Sequence, residues 1–277
     1  MIVGLDPGNF ETKVVTAFGA FKSLSCLGEF REFNIDKEFG KEDIIYKYKG
    51  QKGFAGSLAM KESLFKRQMA GDSKAHPDAL IRTLIALHLF TDDLNYKIVV
   101  NQPIKKHKED KSKIIEMMQG KHQLEINGVT KEINIELVSV APEGAVSYWA
   151  LDRPRYVERI IDVGSGTVNA ATIIDGEFID LESFTLVFGA NSEEVYQVDN
   201  LVAAIIAEAT VKRWKKSDRI SVCGGIAEVV APLLKNFFSE VEVIKSKLRL
   251  GNKIQIIHPV YANAVGCYEL ACDLYEG

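Results

Sequence analysis

Twice in this chain an apolar strand runs into an aspartate, and a glycine-bearing turn sends a second apolar strand back. The first copy is Ile2-Val3-Gly4-Leu5-Asp6-Pro7-Gly8-Asn9, followed by Phe10 to Thr16. The second is Ile160-Ile161-Asp162-Val163-Gly164-Ser165-Gly166-Thr167, followed by Val168 to Ile174. Each copy then makes another tight turn, at Phe18-Gly19-Ala20 and at Asp175-Gly176, into a third apolar stretch. A meander of three strands repeated in this way predicts two similar α/β halves. Facing each other, the halves place two carboxylates and two glycine turns around a common cleft. Turns without bulky side chains let backbone N–H groups approach phosphate oxygens. An aspartate at the strand end repels phosphate unless a divalent cation intervenes, and Mg²⁺ held through carboxylates and waters meets that need. The cleft is therefore expected to hold a metal–nucleotide.

The 277 residues are 47% hydrophobic and 26% charged, enough for a large core or two lobes. A net charge of -4 gives no global reason to expect nucleic-acid binding. Cys26, Cys223, Cys267 and Cys272 lack CxxC spacing and read as reduced, mostly buried thiols of a cytoplasmic protein. The first residues read as a core strand rather than a signal peptide, and no apolar run reaches the ~20 residues that span a bilayer.

Between the two meanders the sequence predicts a hairpin at 44–55 about Lys49-Gly50 and a charged, partly helical stretch at 57–75. A well-buried helix opens at His76-Pro77-Asp78, where proline suits the first turn. Then come a strand at Lys97 to Gln102, stopped by Pro103, and a polar helix from His107 to Gln119. A hairpin follows about Asn127-Gly128. The strand ending at Val140 leads into Ala141-Pro142-Glu143-Gly144-Ala145, read as opening a helix to about Ala150. After the second meander come a helix at Asn200 to Lys216 and a strand at Arg219 to Cys223 that ends in Gly224-Gly225. A helix starting at Ile226, strands at Val241 to Ile244 and Lys253 to Ile257, and a last helix from Pro259 complete the chain.

Each chemical motif has a plain alternative. Lys13, seven residues beyond Asp6, can reach back to the β- and γ-phosphates, or it can be a solvated lysine on a surface hairpin. Gly164-Ser165-Gly166 is not a dinucleotide fingerprint, because Asn169 stands where the third glycine belongs. No GxxxxGK loop followed by Ser or Thr occurs, which excludes a P-loop. Glu143 can orient or deprotonate an attacking water, a role worth ~10²–10⁴ in rate. A helix first turn also favours glutamate through the dipole alone. Gly224 and Gly225 allow close approach of a base or ribose, or simply make a tight strand–helix turn. Ala262, Asn263 and Gly266 on one helix, with Gly144 and Ala145 on another, permit a close crossing that would act as a hinge. The basic clusters near Lys105, Lys212 and Lys245 read as solvated faces, and the histidines show no metal-ligand pairing.

In order and content these motifs resemble the actin, Hsp70 and hexokinase-type ATPase superfamily across nearly the whole chain. Asp6-Pro7-Gly8-Asn9 with Lys13 is similar to its first phosphate motif, and Pro142-Glu143-Gly144-Ala145 to its first connecting helix. Asp162 to Thr167 is similar to the second phosphate motif, Cys223-Gly224-Gly225 to the adenosine motif, and Ala262 to Gly266 to the second connecting helix. Within the superfamily the chain looks like the bacterial actin-like proteins that segregate plasmids, the ParM and AlfA kind. The resemblance implies an α/β, two-lobed actin-like fold. Lobe I would be 1–140, with the helix of 259–277 packing back on it, and lobe II 141–258. Thr167 and Cys223 are too close in sequence to hold the usual subdomain IIB, so that lobe is expected to be missing or vestigial. Glu208 and Lys212 then become candidates for the adenine pocket.

The implied activity is an ATPase that polymerises with Mg–ATP, or GTP, and whose hydrolysis destabilises the filament. Asp6 and Asp162 would hold Mg²⁺ through water. Gly8, Asn9, Lys13, Gly164, Ser165, Gly166 and Thr167 would bind phosphates, and Glu143 would position the water. The implied partners are further copies of the chain and a DNA-binding adaptor at a plasmid centromere, with no direct contact to nucleic acid or membrane. A sugar or acid kinase of the same superfamily, or a non-hydrolysing actin-like scaffold, stands as the alternative.

Overall fold

The computed structural model describes every residue except 41, 69–72, 193–196, 252 and 277. Part of the stretch predicted as partly helical, 69–72, therefore lies outside the described residues. The first meander is β1 (Ile2–Pro7), β2 (Glu11–Thr16) and β3 (Gly19–Leu24), and β4 (Leu27–Glu29) is a short strand after it. The predicted hairpin is β5 (Asp43–Tyr48) and β6 (Gln51–Ala55), closed by Lys49 and Gly50, both at positive φ. Next come α1 (Gly56–Glu62), α2 (Pro77–Phe90), β7 (Asn95–Gln102) and α3 (Ile104–Met118). The His76 side chain caps α2 by accepting from the Asp78 N–H. The second hairpin is β8 (Gly120–Ile126) and β9 (Val129–Pro142).

A 3₁₀ helix at Ala145–Ala150 leads into the second meander, β10 (Val157–Val163) and β11 (Val168–Ile174). Its third strand is broken in two, β12 (Glu177–Phe178) and β13 (Phe184–Leu186), around a 3₁₀ turn. Both pieces pair antiparallel with β11. α4 (Val198–Val211), β14 (Arg219–Gly224), α5 (Ala227–Leu234), β15 (Glu240–Val243), β16 (Ser246–Leu250), β17 (Lys253–Ile257) and α6 (Ala262–Glu276) complete the chain.

The duplication is visible in the sheets. One runs β3-β2-β1-β7-β9 and continues through β8, β5, β6 and β4. The other runs β12-β11-β10-β14-β15. β1 pairs antiparallel with β2 and parallel with β7, just as β10 pairs antiparallel with β11 and parallel with β14. Each sheet has its own core. Leu5, Leu84, Tyr96, Ile98 and Val100 fill the first, and Ile161, Leu201, Ile205, Ile220 and Val222 the second. A third cluster joins the halves: Val15 from one meander, Ile160 and Ala171 from the other, Ala145, and Ala262, Ala264 and Val265 of α6.

α6 passes between the halves at backbone contact. A Cβ on Gly4 would sit 2.2 Å from the Ala264 carbonyl oxygen, and one on Gly266 would sit 1.9 Å from that of Val146. Among the described residues, no strand or helix lies between β13 and α4.

Several boundaries differ from expectation. α4 stops at Val211, five residues short of Lys216, where Arg213 turns to positive φ. α3 starts at Ile104, because Pro103 can precede a helix although it ends a strand. The segment after Glu143 is not an α-helix. Gly144 at φ 78° breaks the chain direction, and a 3₁₀ turn follows, so Glu143 stands ahead of the helix rather than in its first turn. β16 has no counterpart in the predicted elements, since its alternation of buried and exposed residues emerges only in pairing with β17.

Candidate functional site

The carboxyl ends of the parallel strands open onto one cleft of about 570 Å³. Asp6 closes β1, and Gly8 N–H bonds back to the Asp6 carbonyl at 2.8 Å, making a very tight turn. Lys13 is the direct cross-strand partner of Asp6, and its ammonium lies 3.4 Å from Asp6 Oδ2. Asp162 occupies the equivalent place on β10, but its cross-strand partner is Asn169. The second turn is laced to the segment after β13: Ala190 N–H donates to the Gly164 carbonyl and Asn191 N–H to the Ser165 carbonyl, each at 2.9 Å. The two turns face each other closely, since a Cβ on Gly166 would lie 3.0 Å from Asn9 Nδ2. Gly224, at φ 102°, ends β14 against β10, where a Cβ would come within 2.2 Å of the Val163 carbonyl oxygen. Only glycine permits that approach.

Among the described residues three carboxylates are buried here: Asp6 (4% exposed), Glu143 (7%) and Asp162 (3%). Burial alone would push the Asp6 carboxyl up, but the Lys74 and Lys13 ammoniums hold it well below the usual carboxylate range. Burial also pushes Glu143 up, and Asp6 and Asp162 add repulsion that Lys74 does not cancel, so its carboxyl titrates at about 7. Asp162 is raised by burial and by the charge of Asp6, against the hydrogen bond it accepts from Asn263. That bond, Asn263 Nδ2 to Asp162 Oδ2, is 2.9 Å. The Asn263 side-chain oxygen in turn accepts from Gly144 N–H at 3.0 Å and from Ser147 Oγ at 2.8 Å. Asn263 thus ties α6, the 3₁₀ helix and the second turn into one unit.

The most deeply placed cation is Lys74, from the loop before α2. Its Nζ lies 3.0 Å from Asp6 Oδ1 and 3.3 Å from Glu143 Oε2, and it donates to Asn101 Oδ1. Among the described residues, buried Glu143 Oε2 meets Lys74 as an ion pair without the geometry of a hydrogen bond. Buried carboxylate oxygens that one ammonium leaves incompletely hydrogen-bonded fit a hydrated Mg²⁺. Among the described residues no three carboxylate, thiol or imidazole side chains form a direct cage, so such an ion would be held through its waters.

The structure brings together most of the residues singled out from sequence. Asp6, Gly8, Asn9, Lys13, Glu143, Asp162, Gly164, Ser165, Gly166, Thr167, Gly224 and Gly225 all line the cleft. Glu208 and Lys212 do not line it; they stand on and just past the last turn of α4. The wall on that side is made by Ala190, Asn191 and Ile226, and Val260 and Tyr261 face the cleft from the start of the α6 segment. Nothing local in a charged stretch marks Lys74 as buried. Spacing alone gives Asn263 a packing place on its helix, and its polar role depends on what lies across the crossing.

Two duplicated meanders, an acidic cleft at their strand ends and a small-residue helix crossing between them define the actin-like class of two-lobed folds. The model of the actin-like proteins' N-terminal domain matches residues 4–145. The chain belongs to the actin-like protein family. No curated protein matches it by sequence. Among solved structures it is similar to the AlfA filament from B. subtilis plasmid pLS32, at 20% identity over 100% of this chain and 99% of that one, with a TM-score of 0.78. It is similar to an AlfA filament bound to AMPPNP, at 20% identity over 96% and 94%, with a TM-score of 0.76. The archaeal actin homologue Ta0583, in complex with ADP, aligns at 18% identity over 99% of both chains, with a TM-score of 0.75.

Proposed function

We propose that this chain is a filament-forming actin-like ATPase that binds a Mg–nucleotide between its lobes and drives segregation of plasmid DNA in the cytoplasm. The observation that carries the reading is the convergence of Asp6 and Asp162, from separate sheets, on one cleft whose two glycine turns nearly touch. The lobes divide as 1–140, with α6 packing back against β1, and 141–258. The turns after Asp6 and Asp162 would offer the phosphates those backbone N–H groups not already bonded within the turns, as Gly8 and Gly164 N–H are, and Lys13 adds charge. Gly224 and Gly225 admit the ribose and base, with Glu208 and Lys212 reaching at most the rim. Bound Mg²⁺ would neutralise phosphate charge. Glu143, titrating near neutral pH, is suited to accept a proton from an attacking water. The nucleotide-bound AlfA and Ta0583 structures support a nucleotide in this cleft, and the filament structures support self-assembly. The DNA-binding adaptor and the choice between ATP and GTP belong to the proposal.

Light scattering by the purified protein at micromolar concentration tests the reading. It should rise on adding ATP or GTP with Mg²⁺, and scattering indifferent to both overturns it. Glu143→Gln should still raise the scattering, while a parallel assay of inorganic phosphate finds release roughly 10²-fold slower.

A further inference from the structure

Lys74 has no place in the nucleotide chemistry above, yet it is the most buried cation of the cleft. Its side chain is 5% exposed, and it contacts carboxylates from two different elements, Asp6 and Glu143. Its backbone is fixed. The Lys74 N–H donates to Gln102 Oε1 at 2.7 Å, and Gln102 Nε2 donates to Asp110 Oδ2 on α3 at 3.0 Å. Ser73 Oγ donates to the same Asp110 oxygen at 2.7 Å. The four-carbon stem is therefore the part of Lys74 free to move, and the ammonium at its end is held by charge. A lysine is a compact, strongly hydrated point charge on a flexible stem, so its ammonium can be exchanged for another cation without rebuilding the loop.

The ammonium lies between Asp6 and Glu143, within hydrogen-bonding distance of the first. Glu143 Oε2 meets Lys74 as an ion pair without hydrogen-bond geometry, so among the described residues Lys74 leaves a buried carboxylate oxygen with acceptor capacity to spare. A hydrated divalent cation satisfies the same carboxylates through its waters, and two cations side by side in a buried pocket repel strongly.

We propose that Lys74 is a tethered counter-cation: in the nucleotide-free cleft its ammonium holds the place between Asp6 and Glu143 that a hydrated divalent cation takes when nucleotide enters, so that each excludes the other. This rests on the reading of the cleft as a Mg–nucleotide site. Two consequences follow. The free protein binds divalent cations weakly, because nothing compensates the cost of displacing Lys74. Nucleotide and cation enter together, because the phosphates offer the displaced ammonium a new negative partner.

The test is Mn²⁺ binding without nucleotide, followed by electron paramagnetic resonance. Lys74→Met keeps the stem and removes the charge, and it should bind Mn²⁺ at least about ten-fold more tightly than the unaltered protein. Lys74→Arg keeps the charge and should stay within about two-fold of the unaltered protein. Equal Mn²⁺ affinity in Lys74→Met and the unaltered protein overturns the proposal, and so does tightening in Lys74→Arg. A lysine that only braces the fold would change stability and leave Mn²⁺ affinity where it was. Because no nucleotide is present, the outcome is separate from the scattering assay that tests the function itself. Should Lys74→Met fail to fold, the Nζ resonance of ¹⁵N-lysine protein gives the second reading. Mg²⁺ with AMPPNP, at concentrations where fluorescence shows the analogue bound, should shift the buried Lys74 signal, and an unmoved signal overturns the proposal.

Discussion

Glu143 should make the nucleotide-free protein less stable as pH rises from acid to neutral. An unfolded chain releases the Glu143 proton near the ordinary glutamate value of 4.5, whereas the folded chain keeps it until about pH 7. Between those values the unfolded state holds fewer protons, so stability falls with rising pH. Below pH 4.5 both states are protonated and the effect vanishes. Above pH 7 it is complete, and its size is about 3 kcal/mol at ~1.4 kcal/mol per pH unit. Glu143→Gln removes this penalty but also removes a partner of Lys74, so the net gain at pH 8 should be about 1–3 kcal/mol. Urea unfolding of both proteins at pH 5 and pH 8, without nucleotide or metal, measures the difference. The curves should nearly coincide at pH 5 and separate at pH 8 with the variant more stable. Equal separation at both values, or a less stable variant at pH 8, refutes the reasoning, because burial would then not be what holds the proton on Glu143.

Two further outcomes follow from the same geometry. Asp6→Asn takes from the buried Lys74 ammonium one of the two carboxylates described within salt-bridge distance, with Glu143 remaining, and losing such a charge-assisted contact costs about 1.5–3 kcal/mol; a loss below about 1 kcal/mol in urea unfolding at pH 7 would show that Lys74 finds solvent easily. Gly266→Ala puts a methyl 1.9 Å from the Val146 carbonyl oxygen, so α6 must shift, at about 1–3 kcal/mol, read as a lower melting temperature. The matched control is Gly225→Ala, where the nearest atom is 4.0 Å away on Val260; it should melt within a degree or so of the unaltered protein.

Much of this molecule is legible in one dimension because its signals are local. A strand that ends in aspartate and turns on glycine is written in adjacent residues, and the two copies announce the duplicated sheets and the paired carboxylates. Asn127-Gly128 and Lys49-Gly50 mark hairpins by backbone conformation alone, and His76-Pro77 marks a helix start. The helix after Glu143 ends at Ala150 as expected but is 3₁₀ and starts one residue beyond Gly144, because Gly144 can either continue a helix or break it and here stands at positive φ against Asn169. The third strand of the second meander splits because Ser183, just after the turn, bonds to both β11 and Ile179, a choice no alternation pattern encodes.

The sequence by itself settled the order of the elements, the duplication, and which residue types line the strand ends, since each depends on neighbours a few positions away. Tertiary structure alone decided that Lys74 is buried between Asp6 and Glu143, that Asn263 reaches Asp162, and that Glu208 stays outside the cleft. Those facts depend on which side chains arrive from 68, 69 and 101 residues away, and a charge or an amide looks the same on paper whether it ends in water or between two carboxylates.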